Sequence, residues 1–242
     1  MGRAYEVRKA AMAKTHAMKA KLYSRYGKEI YQVAKTGGPD PNANLALRSL
    51  INKAKKQNVP ADVINRAIEK AKSGSGEDYI QTRYEGFGPG GATLIIDCLT
   101  DNVNRTVSEV RNCFTKTNNK LGVSGSVSHM YNEWSVVSFT GLTEDETLEA
   151  LLMADINIED IEVEGDIITV YGDPKDLNNI KTTLEAFENV KIDVEEIAMI
   201  PMTTVKLEGE ELENFNKLLD MLNEVDDVDR IYHNVDLPEE EE

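Results

Sequence analysis

A Ser-Gly-Ser-Gly run at residues 73 to 76 divides this 242-residue chain into two segments of opposite charge. The first 76 residues hold 16 Lys and Arg against 5 Asp and Glu, whereas the rest of the chain holds 11 against 38. A flexible polar run at such a boundary marks the passage between separately packed bodies. The pattern therefore predicts a cationic head and an anionic trunk, each with its own core. The net charge of −16 would suggest repulsion from nucleic acid, yet a head carrying about +11 by itself attracts polyphosphate.

Three helices account for the head. In KAKLYSRYGKEIYQVAK the helical turn puts Leu22, Tyr26, Ile30 and Val33 on one stripe, and Lys14, Lys21, Arg25, Lys28 and Lys35 on an opposite one. Arg3, Arg8 and Lys9 extend the positive charge toward the start of the chain. Gly37, Gly38 and Pro39 break the first helix, and Asp40 with Pro41 is the expected start of a second. Its apolar stripe is Leu47, Leu50, Ile51 and Ala54, and Lys53, Lys55 and Lys56 crowd its end, where cations suit the helix dipole. Pro60 opens a third helix whose stripe is Ile64, Ala67, Ile68 and Ala71. Because Lys21, Arg25 and Lys28 lie opposite the apolar stripe, they are expected to form an exposed ridge whose replacement removes binding and leaves the helix folded.

Strands and helices alternate beyond the linker. TRYEGF and ATLIIDCL read as a hairpin around GPGG, and NRTVSEVRNCFTK as a helix with Val107, Val110 and Phe114 inward. A polar loop, TNNKLGVSG, then leads to an expected strand near SVSHMY. WSVVSFTG, EDETLEALLMA, IEDIEVEG, DIITVYG, DPKDLNNIKTTLEAF and VKIDVEEIAMI spell β-α-β-β-α-β, the ferredoxin-like order. TTVKL, GEELENFNKLLDMLNEV and VDRIYHNV then add a strand, a helix and a strand, which the first α/β unit lacks. The expected class is α+β, with a three-helix domain over 1–76 followed by two ferredoxin-like α/β domains. One of these, 134–200, is inserted into the other, 77–133 plus 201–237, and 238–242 is a solvated acidic tail.

Several motifs point to ordinary structural roles. GFGPGG fits Gly-x-Gly-x-x-Gly, but a dinucleotide site needs a helix after the glycines, and here a strand follows. His16, His129 and His233 have no metal-ligand spacing, and the acidic clusters lack the ligand order of a calcium loop. Cys98 and Cys113 sit in apolar periodic segments, so both are expected as reduced core thiols. No apolar stretch has the length of a signal peptide or membrane span, so a cytoplasmic protein without membrane association is expected. No catalytic group, cofactor or metal is nominated.

Nucleic acid is the partner that the head's charge bias selects, and the module offers no evident base-reading set. Asn102, Asn104 and Arg105 at the next helix start, with Asn118, Asn119 and Lys120 behind it, either extend this surface or serve as caps and turns. The candidate binding residues are therefore Arg3, Arg8, Lys9, Lys14, Lys21, Arg25, Lys28, Lys35, Lys53, Lys55, Lys56, Asn104, Arg105 and Lys120. The acidic α/β domains are left for protein partners.

The blocks KLYSRYGKEIYQVAKTGGPDP, NLALRSLINKAKKQNVPADVINRAIEKA, YEGFGPGG, LTDNVNRTVSEVRNCF, GVSGSVSHMY and YHNVDL together resemble the YebC/PmpR family over essentially the whole length. The opening MGRAYEV is similar to the branch of the family that lacks a GHSKW-like start. The resemblance implies a helical N-terminal domain and two α/β domains with a cleft between them. It also implies a DNA-binding transcriptional regulator without catalytic activity. The family includes a mitochondrial translational activator of cytochrome c oxidase, so the alternative is a translation factor that holds ribosomal RNA with the same helices.

Overall fold

The computed structural model describes residues 17–74 and 78–237, with side chains described from residue 21. Helices α1 (Ala17–Gly37), α2 (Leu45–Lys56) and α3 (Ala61–Ser73) form the head. Their apolar stripes meet in one cluster built on Tyr26, Ile30, Tyr31, Leu47, Ile51, Ile64 and Ile68. Asp40 does not cap α2. It accepts from the Asn42 amide in the preceding turn, and Asn44 is the cap, accepting from the Leu47 amide at 3.0 Å. The Asn44 side-chain amide also donates to the Val33 and Gly38 carbonyls, so one buried amide ends α1 and starts α2. At the other end of the head, Gly74 closes α3 with φ 64, a left-handed position suited to glycine.

The trunk contains two four-stranded antiparallel sheets. The first has β1 (Ile80–Phe87), β2 (Thr93–Thr100), β3 (Lys120–Leu121) and β9 (Val228–His233) in the order β3-β1-β2-β9. Helices α4 (Val103–Lys116) and α7 (Gly209–Glu224) cover it, through Val110, Phe114, Phe215, Leu218 and Leu222 packed on Leu94 and Ile96. The second has β4 (Tyr131–Thr140), β5 (Ile158–Glu164), β6 (Ile167–Gly172) and β7 (Lys191–Pro201) in the order β5-β6-β4-β7, the ferredoxin-like arrangement. Its helices α5 (Glu144–Met153) and α6 (Leu177–Glu185) bury Leu151, Ile180 and Leu184 against Val137, Phe139, Ile168 and Val170. A short parallel pair, β8 (Val205–Lys206) with β10 (Val235–Asp236), closes the chain's return to the first sheet.

Two details differ from the sequence reading. The segment near SVSHMY is a tight helical turn over Ser128–Met130 leading into β4, and a short strand, β3, forms within the polar loop instead. The turn arises because the buried Glu85 carboxylate accepts from the amides of Gly125, Val127 and Ser128, and three inward-pointing amides leave none for a sheet ladder. The nearly unbroken apolar run of β2 also has a cause. Leu94 and Ile96 face α4 and α7, while Ile95 packs with Val127, Tyr131 and Met199 where the two sheets meet.

The turn after β4 tests the register of the second sheet. Gly141 has φ 109, and a Cβ there would collide with the Asn189 backbone carbonyl. Gly141→Ala is therefore expected to cost about 2 to 3 kcal/mol, measured as a fall in the denaturant midpoint at unchanged slope.

Candidate nucleic-acid interface

Helix α1 is covered on two sides. Its apolar stripe faces α2 and α3, and its cationic stripe faces the trunk. Lys21 Nζ donates to the Asn223 carbonyl at 2.5 Å, and burial pushes its ammonium down to about 8. Arg25 Nε lies 3.4 Å from Asp229 and 3.7 Å from Glu29. Lys28 Nζ lies 3.0 Å from the Asp226 carbonyl and 3.0 Å from the Asp227 carboxylate. From α2, Lys53 Nζ donates to the Glu195 carbonyl at 2.7 Å and lies 3.5 Å from its carboxylate, which Lys181 also holds at 2.7 Å. Lys35 pairs with Asp78 at 2.5 Å and lies over the Tyr31 ring. The expected exposed ridge is thus a docking face, and replacing Lys21, Arg25 and Lys28 would disturb the assembly. The helical wheel placed these residues opposite the apolar stripe correctly, but it carries no information on what a second body covers.

Asp227 is the centre of the joint. Its residue is 3% exposed, and its carboxylate accepts from Thr100 (3.0 Å), Thr106 (2.9 Å), Arg105 (2.7 Å) and Lys28 (3.0 Å). Burial alone would raise its pKa, but hydrogen bonds from Arg105, Lys28 and Thr106 outweigh it and bring it down to about 2. Arg105 is held above its usual value by its bonds to Asp227 and Asp101. Its guanidinium is committed to these carboxylates, and Asn102 is the α4 cap, accepting from the Arg105 amide at 3.1 Å. Asn104 and Lys120 are exposed, whereas Asn119 bonds to Thr117 and Asn214 and is structural. A cleft of about 620 Å³ opens beside Asp227, lined by Lys28, Tyr79, Arg105, Glu109, Lys116 and Asp226 among others.

The cations that remain accessible lie elsewhere on the head. Lys55 and Lys56 are exposed, as is Arg48, one turn and more before them. None of the three has a carboxylate partner among the described residues. At about 100° per residue, Arg48, Asn52 and Lys55 lie on the flank of α2 away from Lys53, and Lys56 bridges from that flank toward Lys53, near enough to Glu195 to help hold its carboxyl below the usual range. On α3, Arg66 and Lys70 are exposed too, with Lys70 lying 5.2 Å from the Tyr31 ring centroid. Arg48, Arg66 and Lys70 were not among the residues expected from sequence; the signal that could have found them is their helical phase relative to Leu47, Ile51 and Ile64. Arg3, Arg8, Lys9 and Lys14 lie outside the described residues.

The thiols and His233 have local roles, and His16 lies outside the described residues. Cys98 and Cys113 are free and buried, and burial pushes the Cys98 thiol up to about 12. His233 is buried edge-on to Phe215, and burial pulls its imidazole down to about 4. The GPGG segment is a turn between β1 and β2, with Gly90 and Gly91 at φ 58 and 84. Among the described residues no group of three or more His, Cys, Asp or Glu is placed to hold a metal ion, and no helix is long and apolar enough to cross a membrane.

A three-helix head docked by its cations onto two acidic α/β domains is an architecture with known relatives. Residues 3–74 match the TACO1/YebC protein N-terminal domain, and residues 79–235 match the TACO1/YebC second and third domain. The chain belongs to the TACO1/YebC family. A relative from Vibrio cholerae, named a probable transcriptional regulatory protein, is 54% identical over 238 residues, covering 98% of this chain and all of that one. One from Marinomonas with the same description is 52% identical over 237 residues. The crystal structure of a conserved hypothetical protein from Aquifex aeolicus superposes with a TM-score of 0.78 at 36% identity, covering 94% of each chain.

The buried node makes two predictions. Asp227→Asn leaves Lys28 without its carboxylate and Arg105 with Asp101 alone, and is expected to cost about 3 kcal/mol, the lower end for a broken buried pair because Arg105 keeps Asp101 and solvent access; chemical denaturation measures it. In acid, the His233 contribution is complete above about pH 6.5 and fades toward about 4, and that of Asp227 is complete above its ordinary 3.8 and is lost as pH falls through about 2. Stability measured against pH should therefore fall in strong acid, with a step below about pH 3.8 that Asp227→Asn makes smaller, while between about pH 4 and 7 the raised carboxyl of Glu29, buried beside Asp229, offsets part of the His233 step.

Proposed function

We propose that this protein is a nucleic-acid-binding regulator of gene expression, acting on DNA as a transcriptional regulator without catalytic chemistry of its own. The observation that carries this reading is the stripe of Arg48, Lys55 and Lys56, cations left open to solvent on a molecule of net charge −16. Phosphates that replace the counterions around such a stripe gain affinity from counterion release. Arg66 and Lys70 on α3, and Asn104 and Lys120 on the trunk, extend the set. The contacts position the protein on the backbone more than they read bases, because Lys55 and Lys56 are point charges on a helix flank and the head offers no evident set of side chains for base edges. The acidic trunk limits indiscriminate coating of nucleic acid by like-charge repulsion and leaves its surface for protein partners in the cytoplasm. The names of the curated relatives support a regulatory role.

A double charge reversal, Lys55→Glu with Lys56→Glu, tests the surface. Both side chains are exposed, so the fold should hold, with a loss of about 1 to 2 kcal/mol from placing anions at the C-terminus of α2. Affinity for duplex DNA should fall roughly tenfold or more, and the log–log salt slope should flatten by about 1.8 for two lost phosphate contacts. Fluorescence anisotropy across a salt series measures both, and unchanged affinity would remove the stripe from the site. Ribosome co-sedimentation that survives DNase, with no footprint on promoter fragments, would move the reading to the translation alternative.

A further inference from the structure

The docking face has a feature that ordinary interdomain packing lacks. Four cations of the head, Lys21, Arg25, Lys28 and Lys53, are answered by carboxylates and carbonyls of the trunk: Asn223, Asp226, Asp227, Asp229 and Glu195. Carboxylate and carbonyl oxygens are the same class of acceptor that phosphate offers. The joint is also incompletely satisfied. Arg25 Nε meets Asp229 Oδ1 at 3.4 Å and Glu29 Oε1 at 3.7 Å, ion-pair distances too long for good hydrogen bonds. Glu29 and Asp229 are like charges in one buried site, with Arg25 and Arg230 as the neighbouring cations. A closed joint that leaves polar groups short of partners gains less from docking than a fully bonded one.

We infer that the trunk masks a second phosphate-binding surface: Glu195, Asp227 and Asp229 occupy Lys53, Lys28 and Arg25 until nucleic acid, arriving on the exposed α2 stripe, displaces them and the head swings off the trunk. This inference rests on the nucleic-acid reading above and adds its regulation. Binding begins on Arg48, Lys55 and Lys56, which need no rearrangement. Lys53 belongs to the same helix, three residues from Lys56, so a polyanion tracking α2 reaches the joint directly. Opening then exposes the α1 cations on the same body. The trunk's charge acts as an internal competitor, and only a ligand dense enough in phosphate outcompetes it.

Zero-length carbodiimide coupling, which joins a lysine amine to a carboxylate in contact, reads the joint in the full chain. Without nucleic acid, mass spectrometry should find both Lys53–Glu195 and Lys181–Glu195 products, because both amines sit against that carboxylate. Saturating duplex DNA, or single-stranded RNA in a parallel arm, should deplete the Lys53–Glu195 product and spare the Lys181–Glu195 product, which lies within the trunk. Persistence of the Lys53–Glu195 product at saturation overturns the inference. Affinity supplies the second measurement. Glu195→Lys should bind nucleic acid about fivefold tighter, the upper end for one partly exposed ion pair, with a salt slope steeper by about 0.7 to 0.9 per cation released. Glu149→Lys, an equal charge change on exposed α5, controls for net charge, and Glu195→Gln gives the same direction with less perturbation of the fold. An equal gain from Glu149→Lys also overturns the inference. Loss of binding in the Lys55/Lys56 double variant together with an unaffected crosslink would keep the proposed function and reject only the masking.

Discussion

The carboxylate of Asp227 is the charge around which the head and the first α/β domain are arranged. It sits at the start of β9 and is almost fully buried, and it draws bonds from the end of β2 (Thr100), the first turn of α4 (Arg105 and Thr106) and the middle of α1 (Lys28). A buried anion is tolerated only when its lone pairs are filled. Asp227 meets that condition with donors from separate parts of the chain, so the position of the head is tied to the closure of the first sheet. Its depressed pKa expresses the same fact as a proton equilibrium.

The head is held differently on its two faces, and the difference has functional weight. Toward α2 and α3, α1 buries Tyr26, Ile30 and Tyr31 in an apolar cluster that excludes water. Toward the trunk it presents charge to charge, in largely buried pairs that salt screens little but that other anionic acceptors could replace. An apolar core keeps the head intact as a unit, while a polar joint allows that unit to be exchanged between partners. The acidic trunk, a handicap for a protein that coats nucleic acid, would under the proposed masking set the threshold for binding.

The two sheets are joined by packing that the strands foreshadow. Ile95, Val127, Tyr131 and Met199 meet behind the first sheet, and Val136, Tyr171, Val194 and Ala198 form an adjoining cluster with Trp134 and Tyr232 beside it. The trunk is therefore stiffened through its sheet backs, and its acidic residues are held at fixed positions on β7 and β9. A rigid array of acceptors is what lets Glu195 and Asp229 engage two different helices of the head.

Local chemistry was readable from the chain alone. Periodicity placed the apolar stripes of α1, α2 and α3, the strand alternation identified the β-α-β-β-α-β unit, and the strand after GPGG marked a turn and not a dinucleotide loop. These features depend on spacing within ten or so residues, and such spacing is written directly in the order of side chains. What faces the opposite side of a helix is decided by residues about two hundred positions away, as Lys21 with Asn223 and Arg25 with Asp229 show. Sequence therefore determined that α1 has a cationic side; only the tertiary structure decided that this side meets carboxylates while Arg48, Lys55 and Lys56 meet water, because the pairing of distant charges depends on how whole domains pack.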